Sequence, residues 1–216
     1  MTSGSTQPRR HSTHTGLRKP AREVSPQEAE GRQFEERLRY ALRDGSFLVL
    51  VVRPSYMLAC ERQLHERFPA MERLSFDRLL IDRLKAKAAE DEVDWRVVCE
   101  ADGPQATDDD RAHLLDMVAE VIPDIEADLI ARVRPVLLVH PGLLARYDQM
   151  DLLVRLRDRV GRKGTCPGLW LLVAGDEQSE LPLIDRHEVP LIGSGQRTRV
   201  PLYWIDNRHR AAATVS

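Results

Sequence analysis

Runs of consecutive aliphatic residues recur along the chain, separated by longer segments with helical spacing. The three strongest runs lie within residues 46–52, 135–140 and 168–174, and each has the length of a strand rather than of a helix. Strands that are apolar on both faces are typical of the centre of a parallel sheet. The pattern therefore predicts three central strands, with helices covering both faces of the sheet.

The segments between these runs predict helices whose ends are marked in the sequence. The first helix begins after Ser25, which forms a capping box with Glu28, and Gly45 ends it. Asp148 is the predicted cap of a later helix, and Pro123 is predicted to divide the helix that begins near residue 108. The predicted helices span residues 25–43, 56–68, 75–89, 108–122 with a second helix to about 133, and 148–160.

Shorter apolar segments predict further strands at residues 71–74 and 95–99 and an edge strand at 189–192. Residues 193–199 contain two glycines and are predicted to form a flexible loop. Since strands alternate with helices, the expected fold class is α/β, a three-layer sandwich on a mainly parallel sheet. The expected domain is similar to a P-loop-type domain without its phosphate loop.

Composition separates the N-terminal segment from the rest of the chain. The first 22 residues carry five basic and no acidic side chains, whereas the remainder has a net charge of −7. Residues 1–24 offer almost nothing for a core to bury, so we predict a disordered basic arm there. Residues 25–210 are predicted to form a single α/β domain, and residues 211–216 a disordered tail.

Cysteine usage and hydropathy predict a location and argue against a metal site. Cys60, Cys99 and Cys166 are odd in number and widely spaced, which suits neither a disulfide framework nor a zinc site. The seven histidines show no paired spacing, so the sequence predicts neither a bound metal nor a cofactor. No apolar run approaches the roughly 20 residues of a membrane span. We therefore expect a cytoplasmic protein without a membrane partner.

Candidate functional residues follow the central strands, because ligands bind beyond the carboxyl ends of parallel strands. Arg53 and Ser55 follow the first strand and open a helix, but the glycines and the lysine of a phosphate loop are absent there. His140 ends the second strand, and one histidine alone cannot build a metal site, so a structural role is favoured. Arg146 and Tyr147 complete the candidate partner or ligand surface as an exposed pair, or simply hold their loop in place. No residue is predicted to be catalytic.

One long stretch resembles a known group of proteins. Residues 134–176, RPVLLVHPGLLARYDQMDLLVRLRDRVGRKGTCPGLWLLVAGD, resemble the C-terminal region of PglW-type kinases of type 2 BREX (phage growth limitation) systems, and more distantly the small BrxB-type BREX proteins. FLVLVVRPSYMLACERQLHERF from Phe47 and LPLIDRHEVPLIG from Leu181 fit the same resemblance, which spans about residues 45–208. It implies a component of a bacterial antiphage complex.

The same resemblance has a marked departure. A kinase needs a Gly-rich loop, a strand lysine and a His-Arg-Asp catalytic loop, and this chain contains none of them. BrxB-type proteins imply no catalytic residues that map onto this sequence. The resemblance therefore implies an accessory or scaffold subunit, with methyltransferase, phosphatase and kinase components of the defence system as partners.

Two other functions stay open on the sequence. A nucleotide-binding or hydrolytic enzyme with an unconventional site predicts a deep pocket near Arg53, His140 and Arg146, whereas a partner-binding module predicts a flat or apolar exposed patch. A DNA-binding module led by the basic arm predicts salt-sensitive affinity that is lost when residues 1–24 are deleted. The acidic charge of the remaining chain disfavours this last function.

Overall fold

The computed structural model describes Met1 and residues 24–175 and 181–206. Most of the predicted basic arm and all of the predicted tail lie outside the described residues, so both stay predictions, as does a DNA contact of the arm. The α-helices are α1 (Pro26–Asp44), α2 (Met57–Arg67), α3 (Phe76–Glu90), α4 (Trp95–Ala101), α5 (Asp108–Ile130), α6 (Gly142–Arg146), α7 (Asp151–Arg159) and α8 (Leu202–Ile205). The strands are β1 (Phe47–Val52), β2 (Glu72–Ser75), β3 (Val136–Val139), β4 (Leu169–Ala174), β5 (Leu183–Ile184), β6 (His187–Glu188) and β7 (Arg197–Arg199).

Among the described residues, five strands form one sheet in the order β2-β3-β4-β1-β7. Every pairing in this sheet is parallel, and β1 lies beside β4 in a register that runs from Phe47 opposite Leu169 to Val52 opposite Ala174. β5 and β6 form a separate antiparallel pair. The three predicted central strands are thus confirmed and lie next to one another.

Side chains alternate across the sheet and build a core on each face. Leu48 and Leu50 of β1 pack with helices α1, α2 and α8, whereas Phe47, Val49 and Val51 pack with α3, α5 and α7. Helices cover both faces, which confirms the α/β class and the three-layer sandwich. The likeness to a P-loop-type domain stays a prediction.

Local sequence signals explain several helix ends. The Ser25 hydroxyl accepts the backbone N–H of Glu28 at 3.2 Å, and Ser75 caps α3 by accepting the N–H of Arg78 at 3.4 Å. Gly45 ends α1 in the left-handed conformation with φ of 70°. These boundaries agree with the sequence prediction.

Two predictions, a strand at residues 95–99 and a helix break at Pro123, are wrong, and packing explains both. Residues 95–99 form helix α4 rather than a strand, because Asp94 caps the helix through the N–H of Arg96 and Val98 packs into the core. Pro123 does not divide α5, since its exposed ring faces away from the core while Ile122 and Ile125 on either side are buried. Burial along both halves keeps the helix continuous despite the missing N–H.

Three further predictions about loops and strands are corrected. Asp148 is not a helix cap, since α7 begins at Asp151 and a short helix, α6, precedes it. Residues 189–192 form no strand, and the predicted loop at 193–199 contains edge strand β7. The Arg37 guanidinium holds this segment by donating to the carbonyl oxygens of Gly195 and Arg197 at 2.9 and 2.7 Å.

The predicted core tryptophans differ in burial. Trp170 and Trp204 are fully buried, as expected, whereas Trp95 is half-buried with the Lys85 ammonium 5.5 Å from the centre of its ring. Within the described ranges, none of the helices combines the length and the apolar character that crossing a membrane requires.

Candidate functional site

The carboxyl ends of the central strands meet at one edge of the sheet, as their parallel order requires. Gly175, after β4, donates its N–H to the carbonyl oxygen of Val52 at the end of β1, at 2.8 Å. Val200, after β7, donates to the carbonyl oxygen of Val51 at 2.9 Å. The segments that follow β1 and β4 therefore lie together, and the structure adds β7 to them.

His140 lies at this edge in a left-handed turn with φ of 52°, and its side chain is exposed. Its Nδ1 is 3.3 Å from the hydroxyl of Ser75, and its Nε2 is 3.9 Å from a carboxylate oxygen of Glu61. Glu61 also pairs with Arg73. The histidine thus connects the end of β3 to α2 and to the start of α3. Ser75 and Glu61, which make these contacts, lie far from His140 in the sequence.

Asp77, which the sequence did not single out, holds the turn that contains His140. Its carboxylate accepts the N–H of Leu143 at 3.1 Å, and its own N–H donates to the carbonyl oxygen of His140 at 3.2 Å. Partial burial raises the pKa of the Asp77 carboxyl, although the bond from Leu143 opposes this. The turn between β3 and α6 is therefore tied to the first turn of α3.

Arg146 and Tyr147 do not form the exposed pair that the sequence predicts. Tyr147 is buried in the core, and this burial raises the pKa of its hydroxyl. Arg146 is half-exposed, but its Nε and Nη2 both donate to one carboxylate oxygen of Asp102, at 3.0 and 2.8 Å. Nη2 also reaches the Asp102 carbonyl oxygen at 3.2 Å. The pair fastens α6 to the end of α4.

A cleft of about 440 Å³ lies beyond the ends of β1, β4 and β7, and we call it the carboxyl-edge cleft. Of the sequence candidates, Arg53 lines it, whereas Ser55, His140, Arg146 and Tyr147 do not. Its lining residues are Gln27, Glu30, Val51, Arg53, Tyr56, Gly175, Arg199, Val200, Pro201, Leu202, Tyr203 and Asp206. The carboxyl-edge cleft therefore does not bring Arg53 together with His140 and Arg146.

The position of this cleft follows from the topology. The chain leaves β1 into α2 on one face, whereas after β4 Ile184 and Val189 pack on the other face. Ligands of open parallel sheets bind where successive connections diverge in this way. The lining has two arginines and two carboxylates, Glu30 and Asp206, so its formal charge is balanced. Arg199 was missed because its segment was read as a loop.

The three cysteines differ in accessibility. Burial raises the pKa of the Cys60 thiol to about 12, with a smaller contribution from Glu61. Burial also raises the pKa of Cys166, whose thiol donates to the carbonyl oxygen of Gly168 at 3.2 Å. Cys99 is exposed on α4. Among the residues that the structure describes, no three His, Cys, Asp or Glu side chains are grouped so as to hold a metal ion.

Along most of its length, the chain is similar to a known protein. The chain is 28% identical over 199 residues to the protein described as probable kinase PglW of Streptomyces coelicolor. The match covers 88% of this chain but 13% of PglW, so the chain spans a small part of that protein's length. No protein-family model matches, and no solved structure matches. The likeness to PglW is supported, whereas a likeness to BrxB-type proteins stays a prediction.

Proposed function

We propose that this chain is a non-catalytic accessory subunit of a Pgl/BREX-type phage-defence complex, acting in the cytoplasm through protein–protein contacts. The observation that carries the proposal is the similarity to PglW along 88% of the chain. Since this region corresponds to 13% of PglW, the shared part is one small region of a large protein. Such a region is suited to serve as a binding module that recurs in different chains of one defence system.

Kinase activity is not part of the proposal. The 216 residues contain no Gly-rich loop, strand lysine and His-Arg-Asp catalytic loop in the order that kinases require. A kinase positions ATP and magnesium with these elements, and the electrostatic stabilisation they supply is the main source of its rate enhancement. The similarity to PglW therefore gives no support for phosphoryl transfer by this chain.

Three polar side chains near the carboxyl edge contact the fold itself, which supports a structural role for them. Arg146 is held by Asp102, Asp77 holds the backbone of Leu143, and Tyr147 is buried. A catalytic group has to face the substrate, whereas these groups face other parts of the fold. Their geometry supports a role in fixing the loops between strands and helices.

The test is an affinity pull-down of the tagged chain from its own host, with nuclease treatment to remove bridging DNA and mass spectrometry to identify what co-purifies. We expect methyltransferase, phosphatase or kinase components of a Pgl/BREX system, enriched over an unrelated tagged protein of similar charge. Recovery of the chain without any such component, under conditions in which another subunit of the system retrieves its partners, would overturn the proposal.

A second candidate function rests on the carboxyl-edge cleft. Arg53 and Arg199 with Tyr56 and Tyr203 combine cationic and aromatic groups at the point in the sheet where nucleotides bind in other α/β folds. Isothermal titration with ATP, ADP and inorganic phosphate tests it. A nucleotide site predicts binding that Arg199→Ala weakens at least about tenfold and Arg146→Ala leaves unchanged, since Arg146 does not line the cleft. Absence of binding in the folded wild-type protein removes this candidate.

A further inference from the structure

Helix α4 is largely exposed to solvent. Of its seven residues, Val98 is the buried one, whereas Val97 is 55% exposed and Cys99 is exposed. A helix of two turns is not stable by itself and depends on packing against its neighbours. Here that packing comes from one face, where α4 contacts α3 and α5. Beside Val98, on the side of α4 that borders α5, the exposed side chain of Val97 presents aliphatic surface to solvent.

Between α4 and α5 this surface forms an apolar groove of about 250 Å³, which we call the α4–α5 groove. Six of its eight lining residues are apolar, and Asp110 and His113 are the two polar ones. The lining residues are Val93, Val97, Val98, Ala101, Asp110, His113, Leu114 and Met117. A concave apolar surface of this kind, rimmed by polar groups, is typical of a protein–protein contact.

The groove lies in the most acidic part of the described chain. Residues 90–110 include nine acidic side chains and one basic side chain, Arg96, which pairs with Glu100 at 2.9 Å. Lys87, just before this segment, is itself held by Asp91 and Glu120 at 3.0 and 3.1 Å. Negative charge is therefore in excess around the groove, and complementary charge steers a partner toward such a surface.

We propose that the α4–α5 groove receives a cationic amphipathic helix of a partner protein. An apolar stripe at positions i, i+3, i+4 and i+7 fits a groove between two helices, and lysine or arginine residues beside the stripe meet the acidic rim. The groove alone is too small for a stable interface of standard size. In the proposed interface it forms the apolar centre, and the surrounding acidic residues form the polar periphery. The inference rests on the proposed accessory function, because the partner is a subunit of the same complex.

Two other occupants fit the surface less well. In a second copy of this chain, α1 offers an arginine-rich surface with Arg37, Arg39 and Arg43, but Glu36 lies on the same surface. Docking α1 of one copy on the α4–α5 groove of the next is a head-to-tail contact that need not close into a defined oligomer. DNA is disfavoured since its phosphates repel the acidic rim.

The probe for the test is a fluorescently labelled synthetic peptide of about 18 residues, built from leucine and lysine with the leucines on one helical face, which is long enough to form a helix. Fluorescence anisotropy measures its binding to the full chain. Two comparison peptides are a scrambled isomer, with the same charge and no apolar stripe, and an analogue with glutamate in place of lysine. We expect the amphipathic cationic peptide to bind at least about tenfold more tightly than either.

Two matched protein variants locate the binding. Val97→Arg places a positive charge and a longer side chain in the groove, whereas Leu58→Arg makes the same kind of change on α2, where Leu58 is 74% exposed. We expect Val97→Arg to weaken binding of the amphipathic peptide at least about tenfold, and Leu58→Arg to change its affinity by less than about twofold. Circular dichroism checks that both variants fold, and Val97→Ser replaces Val97→Arg if the latter does not.

Equal binding of the amphipathic and scrambled peptides overturns the proposal, as does equal binding by wild type and both variants. The pull-down repeated with Val97→Arg and Leu58→Arg separates this inference from the proposed function. Defence components that co-purify with wild type and Leu58→Arg but not with Val97→Arg support both. Components that co-purify equally with all three proteins retain the proposed function and refute the groove.

Discussion

The guanidinium carbon of Arg67 lies 4.0 Å from the centre of the Trp204 ring, and Nη2 of the same arginine donates to the Trp204 carbonyl oxygen at 2.7 Å. Glu35 on α1 completes the contact by accepting from Arg67 at 3.2 Å and from the Trp204 indole N–H at 3.1 Å. Helices α1, α2 and α8 are thereby joined through one largely buried network. Because α8 carries Tyr203, this network also shapes the carboxyl-edge cleft.

The pair predicts strong energetic coupling. Arg67→Met and Trp204→Leu should each lower the free energy of unfolding by about 2–3 kcal/mol, since each removes a buried side chain that packs and donates hydrogen bonds within this network. In the double variant we expect a coupling energy of about 1–2 kcal/mol from the lost cation–π contact. Urea denaturation of the four proteins measures the cycle.

Arg43 and Tyr40 on α1 supply the control for this cycle. The Arg43 guanidinium carbon lies 6.0 Å from the Tyr40 ring centre, and Tyr40 is 62% exposed. The corresponding cycle of Arg43→Met and Tyr40→Leu should show less than about 0.5 kcal/mol of coupling. Similar coupling in both cycles would refute the view that burial makes the Arg67–Trp204 contact strong.

Glu126 predicts a pH dependence of stability. Burial alone would raise the pKa of this carboxyl, but hydrogen bonds from Arg155 and Arg159 at 2.6 and 2.7 Å outweigh it and lower the pKa. The stabilisation is fully present above the pKa of an unfolded-chain glutamate, about 4.3, and is lost as the pH falls through the lower folded-state value. Glu126→Gln should thus cost about 1–2 kcal/mol at neutral pH.

Measurement of unfolding free energies from neutral pH to about pH 3 checks this prediction. The difference between wild type and Glu126→Gln should shrink as the pH falls below about 4. Glu90→Gln, an exposed change at the end of α3, should stay within about 0.5 kcal/mol of wild type throughout. A constant difference for Glu126→Gln at every pH would show that its ionisation does not matter.

Thiol labelling should single out Cys99. Cys60 and Cys166 are buried with raised pKa values, so few of their thiols are ionised near neutral pH, and reagents cannot reach them in the folded state. Under native conditions a maleimide should add once per chain and not at all to Cys99→Ser. In urea all three thiols should react. Rapid native labelling of Cys99→Ser, measured by mass spectrometry, would contradict the assigned burial.

Two glycines with similar φ angles should differ in how much stability is lost when each is replaced by alanine. Gly161 and Gly164 have φ of 78° and 81°, but an added Cβ at Gly161 would overlap the carbonyl oxygen of Gly45, whereas nothing lies within 4 Å of one at Gly164. Gly164→Ala should cost about 1 kcal/mol, from the left-handed conformation alone. Gly161→Ala should cost at least about 2 kcal/mol more. Equal thermal shifts would show that the loop moves to relieve the overlap.

Sequence patterns predict the elements whose signals are local. The aliphatic run in β1 and the caps Ser25 and Ser75 act within a few residues of where they stand, so their consequences are readable without the fold. The prediction failed at residues 95–99 because valine and tryptophan favour strands on average, whereas the Asp94 cap and the packing of Val98 on α5 favour a helix here. Tertiary contacts outweigh such weak propensities.

For the candidate site, too, the sequence predicts the location but not the contacts of each side chain. Its location at the carboxyl edge follows from strand order, and Arg53 lies at that edge. The partners that decide what each side chain does come from elsewhere: Asp102 holds Arg146 across 44 residues, and Glu61 approaches His140 from α2. Tyr147 looked accessible in a polar stretch, but the fold buries it.

By itself, the sequence determined the likeness to PglW, and it determined the α/β class, the three central strands and the starts of α1, α2, α3 and α5, because apolar runs and capping residues act over short distances. Only the tertiary structure decided that residues 197–199 join the sheet, that Arg67 stacks on Trp204, and that α4 leaves an apolar groove beside acidic residues. Those features depend on groups that lie far apart along the chain, and the free energy that joins them arises only when packing removes their surfaces from water.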